Sequence, residues 1–314
     1  LPCELIEENG VALKRTVLQY ADHWQLGNNF KNWIESSNHF CNTLVDRIVS
    51  GYPEDRAKEI QQELGYKDEL LVAGEYYHSW VIQAPESITQ ELPFSQTDLN
   101  VQFVDDLAPY REMKVRLLNG AHTAMVPTAY LAGFRFVDEA MEDETISHFV
   151  ESLLIEEAAT TLDFPKKVKL GFVADVLDRF RNPLLKHKLI SISLNSSSKF
   201  VARLLPTLKD FRAKEGRLPR RIVFGLSALI RFYKGEIEQE TVPLKDNQEV
   251  LDFFASQWTN YESGEVNLID MVASILKNKS IWKEDLNEIS GLRQQIVGNL
   301  EAIESKGVRQ ALEG

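Results

Sequence analysis

The stretch Lys114-Val-Arg-Leu-Leu-Asn-Gly-Ala-His122 lies in the first of a long series of helical patterns that fill the second part of the chain. Beyond about residue 105, apolar residues recur at the spacing of amphipathic helices, in the segments 109–131, 136–160, 168–180, 184–195, 199–214, 220–233, 247–257, 265–276 and 283–312. Asp163-Phe-Pro165 and Arg181-Asn-Pro183 separate consecutive segments, and Pro183 fits the first turn of the helix that follows it. The pattern predicts a mainly α-helical domain over residues 105–314.

Residues 1–104 mix helical and extended patterns. Helical spacing covers Val11–Trp24 and Pro53–Leu64, and β-prone runs cover Leu70–Ala73 and Ser79–Ile82. Leu1–Ile6 is typical of a short strand, and a polar loop is expected over about 84–100. The alternation predicts part of an α/β layer, although no G-x-G-x-x-G phosphate-binding turn follows a strand in this sequence.

The composition indicates a soluble globular protein and narrows its partners. Apolar residues make up 44% and charged residues 26% of the 314 positions, with no apolar run long enough for a membrane helix. The net charge of −12 disfavours nucleic acids and anionic membranes as partners, but it is compatible with an anionic small substrate in a locally positive pocket. Because the sequence begins at Leu1 with no Met and no signal peptide, we expect a fragment of a longer protein.

The cysteines and histidines indicate neither a disulfide framework nor a metal site. Cys3 and Cys41 show no C-x-x-C spacing, so a reducing cytoplasm fits best, and both are expected to be small buried apolar residues. The six histidines are scattered, without an H-x-H or H-E-x-x-H pair. We therefore expect no bound metal.

Three polar residues of the opening stretch could carry chemistry. On a helical wheel Lys114, Asn119 and His122 lie at about 0°, 140° and 80°, on one broad face. Reduction of a carbonyl needs such a set, because a lysine can donate the proton while an amide and an imidazole bind the oxygen on which charge develops. A solvated amphipathic helix has the same spacing, so spacing alone does not decide between the two interpretations.

Four motifs, in order, resemble those of the mannitol dehydrogenase family, the metal-independent long-chain polyol dehydrogenases. Lys114-x4-Asn119-x2-His122 is similar to the family's K-x4-N-x2-H signature. The others are Phe40-Cys-Asn-Thr-Leu-Val-Asp-Arg-Ile48, similar to N-[ST]-x-V-D-R-I; Glu75-Tyr-Tyr-His-Ser-Trp80-Val-Ile, similar to E-x4-W-V-I; and Arg179-Phe-Arg-Asn-Pro183 with the later Ser197-Ser-Lys199, similar to R-F-x-N-P and S-x-K. The resemblance covers essentially the whole chain.

The resemblance implies a fold and residue roles. Residues 1–104 would be the latter part of a dinucleotide-binding α/β domain that binds NAD, and residues 105–314 the helical substrate domain. Lys114 would be the general acid and base, and Asn119 and His122 would bind the reacting oxygen. Lys199 would contact a distal substrate group, the alternative being a solvated cation. Asp46 would line the cleft near cofactor or substrate, the alternative being an ion pair with Arg47 or another cation.

Two departures from the family pattern bear on the substrate. The family usually carries Cys-Asp-Asn where this chain has Cys3-Glu4-Leu5, and a leucine cannot donate the hydrogen bond of that asparagine. An arginine that contacts substrate in mannitol-type members falls near Ser191 here. Both departures argue against simple mannitol chemistry.

One branch of the family is more similar, on the stretches Leu1-Pro-Cys-Glu-Leu-Ile-Glu-Glu-Asn-Gly10 and Cys41–Pro53. This branch, the tagaturonate reductases, interconverts D-tagaturonate and D-altronate with NAD. A sugar acid needs a cationic clamp for its carboxylate. The candidates are Lys199, Arg179, Arg181 and His187, although the two arginines could instead pair with Asp175 and Asp178 of the same helix.

Three hypotheses follow for the function. The first is an NAD-linked reductase of a keto sugar acid. The second keeps the enzyme class but changes the substrate to fructuronate or a polyol. The third is a non-catalytic helical interaction module. We further expect a monomer whose partner is a small molecule, and weak or no NAD binding by the isolated chain, because its sequence lacks the Gly-rich turn.

Overall fold

The computed structural model describes residues 1–237 and 240–313. The chain divides into two compact units, residues 1–114 and 115–314. The division falls at the start of a π-helix, Lys114–Asn119. The boundary between residues 104 and 105 that the sequence suggested stays a prediction.

The first unit combines short strands with helices. Its helices are α1 (Asn9–His23), α2 (Gly27–Ser37), α3 (Ala57–Leu64), α4 (Glu86–Glu91) and α5 (Ala108–Met113). Its strands are β1 (Asn42–Asp46), β2 (Val49–Gly51), β3 (Ala73–Gly74), β4 (Ser79–Gln83) and β5 (Val101–Val104). A 3-10 turn covers Phe94–Gln96. The predicted mixture of helix and strand is confirmed.

Strand β4 lies at the centre of a three-stranded sheet. It pairs antiparallel with β1, so that Asp46 is opposite Ser79, and parallel with β5, so that Trp80 is opposite Val101. Val81 and Ile82 are buried, as expected for consecutive residues of a central strand covered on both faces. Strands β2 and β3 form a separate antiparallel pair.

Asn9 joins the start of α1 to strand β1. Its buried side-chain amide donates hydrogen bonds to the carbonyls of Pro2, Glu4 and Thr43, and its amide oxygen accepts from the Thr43 N–H at 2.9 Å. Gly10 lies so close to β1 that a Cβ there would be 2.5 Å from the Cys41 carbonyl. Because Gly10 has no side chain, helix α1 and strand β1 approach each other closely at this point.

Several local predictions for this unit are wrong. Leu1–Ile6 forms no strand, because its carbonyls at Pro2 and Glu4 are bound by the Asn9 side chain instead of a neighbouring strand. Of the run Leu70–Ala73 only Ala73 is in a strand. The expected loop at 84–100 contains α4 and the 3-10 turn, and helix α2 was not predicted. Cys3 is exposed rather than buried, whereas Cys41 is buried as expected.

The second unit is mainly helical, as predicted. Its α-helices are α6 (Gly120–Leu131), α7 (Val137–Glu142), α8 (Glu144–Ser152), α9 (Lys166–Phe180), α10 (Leu189–Ile192), α11 (Ser196–Arg203), α12 (Leu205–Glu215), α13 (Arg220–Phe232), α14 (Gln248–Glu262), α15 (Leu268–Lys277), α16 (Lys279–Trp282) and α17 (Leu292–Glu313). A π-helix covers Leu153–Ala158, and 3-10 turns cover Ala159–Thr161 and Leu286–Glu288. Two short strands, β6 (Glu236–Ile237) and β7 (Glu240–Thr241), also belong to this unit.

Helix α6 lies at the centre of this unit. All its residues from Gly120 to Tyr130 are buried, which is typical of a helix surrounded by others. Helix α13 packs against it so closely that a Cβ at Gly225 would lie 2.9 Å from the Ala124 Cβ. The buried Glu157 carboxylate accepts the backbone N–H groups of Arg221 and Ile222, which lie in the first turn of α13.

Several predicted helix boundaries in this unit are wrong. The segment 136–160 is broken at Asp143, whose carboxylate caps α8 by accepting from the Ile146 N–H. Most of 184–195 is not helical, so Pro183 does not start a helix there. The last segment begins at Leu292 rather than at 283.

Candidate functional site

Lys114 is the last residue of the first unit, and its side chain is nearly buried. Its ammonium group donates a hydrogen bond to the Val45 carbonyl and lies 3.8 Å from a carboxylate oxygen of Asp46. The side chains are 12% and 8% exposed, respectively, so solvent screens the pair weakly. Asp46 therefore has the ion-pair partner that one interpretation expected, and that partner is Lys114.

Two of the motif segments contact each other in this unit. The Arg47 Nε donates to the Glu75 carbonyl at 2.8 Å, and the Glu75 carboxylate accepts the Ile48 N–H at 2.6 Å. Glu75 is itself buried. These bonds fix the chain directly after β1, which carries Asp46, and so hold the carboxylate that faces Lys114.

His122 is buried near the start of α6 in the second unit. Its ring lies 4.2 Å from the Phe180 ring and 5.7 Å from the His187 ring, centroid to centroid. Its Nε2 atom has no hydrogen-bond partner among the described residues, and neither does Nδ1 of His187. Two buried imidazole nitrogens without partners among the neighbouring described residues fit a polar site that could bind a ligand.

Cationic side chains surround His122. Burial lowers its pKa well below 6.5, and His187, Arg203, Arg179 and Lys199 lower it further by repulsion. Burial also lowers the pKa of His187. Both imidazoles are thus neutral at neutral pH, each with one donor and one acceptor nitrogen.

Lys199 and Arg203 lie one turn apart on α11. Burial, with Arg203 second, lowers the pKa of Lys199 to about 8, while Asp246 opposes the shift. The Lys199 ammonium donates to the Ile192 carbonyl at 2.8 Å. The Arg203 Nη1 donates to the Asn119 carbonyl at 3.5 Å and to the Thr123 hydroxyl at 3.2 Å, and burial lowers the arginine pKa to about 10.

The serines before Lys199 position its helix. The Ser197 N–H donates to the Tyr233 hydroxyl and the Ser197 hydroxyl donates to the Asp246 carboxylate, both at 3.0 Å. The Tyr233 hydroxyl also donates to Asp246. Burial raises the pKa of Tyr233, and the Asp246 carboxylate raises it further. The Ser-Ser-Lys motif therefore anchors the first turn of α11.

The structure does not bring every predicted residue to this cluster. Arg181 is 42% exposed and donates to Glu151 and to Ser147, so it pairs with neither acid of its own helix. Arg179 is buried and is among the groups that act on His122. Leu5 is 90% exposed in a segment without regular structure.

Arg203 was not predicted from the sequence. The one available signal was its spacing, since it follows Lys199 by four residues within a predicted helix. Asn119, which was predicted, lies in the π-helix and offers its carbonyl to Arg203 and to the Thr123 hydroxyl.

Two further properties concern the described residues as a whole. They contain no group of three or more His, Cys, Asp or Glu side chains that could hold a metal ion. Within the same residues, no helix has both the length and the apolar character needed to cross a membrane.

Two family models match the chain. Residues 106–304 match the mannitol dehydrogenase C-terminal domain, and residues 1–96 match the mannitol dehydrogenase Rossmann domain. The first match covers more than half of the chain. The second confirms that the α/β unit corresponds to part of a dinucleotide-binding domain.

Curated relatives are similar along the full length of the chain. It is 46% identical over 312 residues to an altronate oxidoreductase of Yersinia pestis, covering 99% of this chain and 65% of that protein. It is 45% identical over 319 residues to the altronate oxidoreductase of Pectobacterium carotovorum subsp. carotovorum (strain PC1), covering 100% and 65%. The chain therefore spans 65% of the length of these relatives.

Solved structures share the fold. Pseudomonas fluorescens mannitol 2-dehydrogenase, in a ternary complex with NAD and D-mannitol, superposes with a TM-score of 0.76 at 22% sequence identity, covering 99% of this chain and 61% of that one. A D-sorbitol dehydrogenase in substrate-free form gives the same TM-score, identity and coverage.

Proposed function

This chain belongs to the mannitol dehydrogenase family, and we propose that it carries the catalytic residues of an NAD-dependent reductase that converts D-tagaturonate to D-altronate. The observation that carries the proposal is the cationic cluster of Lys199 and Arg203, which lie one turn apart on α11 and of which Arg203 hydrogen-bonds Thr123, the residue after the neutral His122. A carboxylate substrate would neutralise such a cluster, whereas an uncharged polyol would not. The relatives named altronate oxidoreductase support the same substrate class.

Lys114 is the proposed general acid of the reduction. NADH, when bound, would supply the hydride for the carbonyl carbon. The Lys114 ammonium gives its proton to the carbonyl oxygen, so that ketone, hydride and proton together yield the secondary alcohol. Asp46 holds the ammonium group in position from 3.8 Å. In the reverse direction the neutral amine accepts the same proton.

Asn119 and His122 are the proposed partners of the reacting oxygen. A neutral imidazole can donate a hydrogen bond to that oxygen. Because it carries no net charge, it does not stabilise the ketone or the alcohol through charge pairing. The lowered pKa of His122 keeps the imidazole neutral for this role. His187, with its own unpartnered nitrogen, is suited to a substrate hydroxyl rather than to charge pairing.

The residues of this chain fit the reactive end of NAD better than its diphosphate. In the first unit the Trp80 Nε1 is buried without a partner among the described residues, and the carboxylate of Asp46 is buried beside Lys114. Asp46 is therefore our candidate for a cofactor contact. No Gly-rich phosphate turn occurs in this sequence, so we expect calorimetry on the isolated chain to detect weak or no NADH binding.

The substrate is tested with the full-length protein. We expect NADH oxidation with D-tagaturonate to exceed that with D-fructuronate and D-fructose by at least about tenfold in kcat/KM. A preference for fructuronate or fructose would support the alternative substrates. No NADH oxidation with any of the three would favour the non-catalytic helical module. Monomeric state and cytoplasmic location stay predictions.

A further inference from the structure

Arg203 is a half-buried cation that forms no ion pair with the described residues. Its two hydrogen bonds, both from Nη1, go to the neutral oxygens of Asn119 and Thr123. Among the described residues no carboxylate forms an ion pair with it, and Nε and Nη2 have no acceptor. Removing a guanidinium group from water without a counter-ion is unfavourable, so such an arrangement is typical of a group that binds an anion.

The neighbours of Arg203 strengthen the positive potential instead of cancelling it. Lys199 lies one turn away on α11, forms no ion pair within the described residues, and has its own pKa lowered by Arg203. The same guanidinium group disfavours the protonated form of His122 and so lowers its pKa. Two cations of one helix therefore act on a site in which Nε2 of His122 and Nδ1 of His187 have no hydrogen-bond partner among the described residues.

Arg203 is better suited to bind a carboxylate than Arg179 and Arg181, the two arginines proposed from the sequence. Arg181 is already paired with Glu151 near the surface. Arg179 is engaged by other groups of the protein. The Nε and Nη2 edge of Arg203 forms the planar fork that matches the two oxygens of a carboxylate.

We propose that Arg203 binds the carboxylate of the sugar-acid substrate and determines the preference for acids over neutral ketoses. Lys199 adds a second, non-directional charge to this anchor. The assignment rests on the proposed function, since it names the residue that recognises the substrate class. It also predicts that neutral polyols bind poorly, because they would bring no counter-ion for Lys199 and Arg203.

The test compares a charged and a neutral substrate of the same shape. D-Tagatose differs from D-tagaturonate in having a hydroxymethyl group in place of the carboxylate. In the full-length protein, Arg203→Met should raise KM for D-tagaturonate about 10- to 100-fold and change kcat less than about threefold. D-Tagatose, as substrate or as competitive inhibitor, should be affected less than about threefold.

Two further variants complete the comparison. Arg203→Lys keeps the charge but loses the fork, so its KM should fall between those of the wild type and Arg203→Met. Arg220→Met removes an exposed arginine at the start of α13 and should leave both substrates unaffected. Circular dichroism of each variant checks that the helices remain.

The outcomes separate this inference from the proposed function. An unchanged KM for D-tagaturonate, or an equal loss with D-tagatose, would overturn the role of Arg203; the equal loss would mean that it only supports the Asn119 carbonyl. A wild-type protein that reduces neither sugar acid would overturn the proposed function, and the anchor with it. A selective loss with the acid supports both.

Discussion

The imidazole rings of His122 and His187 meet edge to face, with centroids 5.7 Å apart and an interplanar angle of 81°. One nitrogen of each ring is buried without a partner among the described residues. Burial lowers both pKa values, and the surrounding cations lower that of His122 further. The pair is therefore two neutral hydrogen-bonding groups in a positive environment.

The protein should lose stability in mild acid because of His122. The unfolded imidazole binds a proton near about pH 6.5, whereas the folded one does so only at lower pH. Below about pH 6.5 the unfolded state therefore binds more protons, and the free energy of unfolding falls as pH decreases, by up to about 1.4 kcal/mol per pH unit for one group. Urea unfolding at about pH 7 and about pH 5.5 measures this fall. The variant His122→Gln should show a smaller fall, and an equal one would contradict the buried neutral imidazole.

Replacement of Lys114 should remove the proton donor. We expect Lys114→Ala to lower kcat for D-tagaturonate by at least about 100-fold, with unchanged circular dichroism. Lys58→Ala, at an exposed position of α3, is the matched control and should turn over normally. Near-normal turnover of Lys114→Ala would exclude this lysine as the general acid.

Lys199 should impose an alkaline limit on the use of the acid substrate. Its pKa of about 8 means that the ammonium group is lost as pH rises through that value. The kcat/KM for D-tagaturonate should therefore decline above about pH 8, and Lys199→Arg, which stays charged, should lack this component of the decline. Identical pH profiles of kcat/KM would show that Lys199 does not act through its charge.

Gly225 should resist substitution because helices α6 and α13 touch at this point. Alanine in a helix is ordinarily about 1 kcal/mol more stable than glycine. A Cβ at Gly225 would lie 2.9 Å from the Ala124 Cβ, and such overpacking destabilises by about 1–3 kcal/mol. Thermal unfolding should show Gly225→Ala less stable than the wild type. Gly171→Ala, in α9 with nothing within 4 Å of the added Cβ, should be more stable, and the opposite order of the two variants would contradict the close packing.

Much of the fold could be predicted because helical periodicity is a local property. Val11–Trp24 and Ser79–Ile82 correspond to α1 and β4 within a few residues. The failures lie where a side chain overrides the pattern, as at Asp143, which ends one helix and caps the next. Leu1–Ile6 failed as a strand because the Asn9 side-chain amide binds its carbonyls, a contact that the pattern of apolar residues does not indicate.

The residues of the candidate site, too, could be predicted from the sequence only in part. Lys114, Asn119 and His122 could be named from the order of their motifs, and their helical environment followed from spacing. Asp46 as the partner of Lys114 could not, since strand β1 lies far from that helix in sequence. Arg203 could not either, because four-residue spacing from Lys199 is common on exposed helices.

The sequence by itself determined which segments form helices, which family the chain resembles and which residue types are available for chemistry. Only the tertiary structure decided which of those side chains are buried and which other side chains lie next to them. Burial removes water, and without water a charge or an imidazole depends on its neighbours for its protonation state. That is why the neutrality of His122, and the lack of an ion pair at Arg203 among the described residues, become visible only when α6, α9 and α11 are packed together.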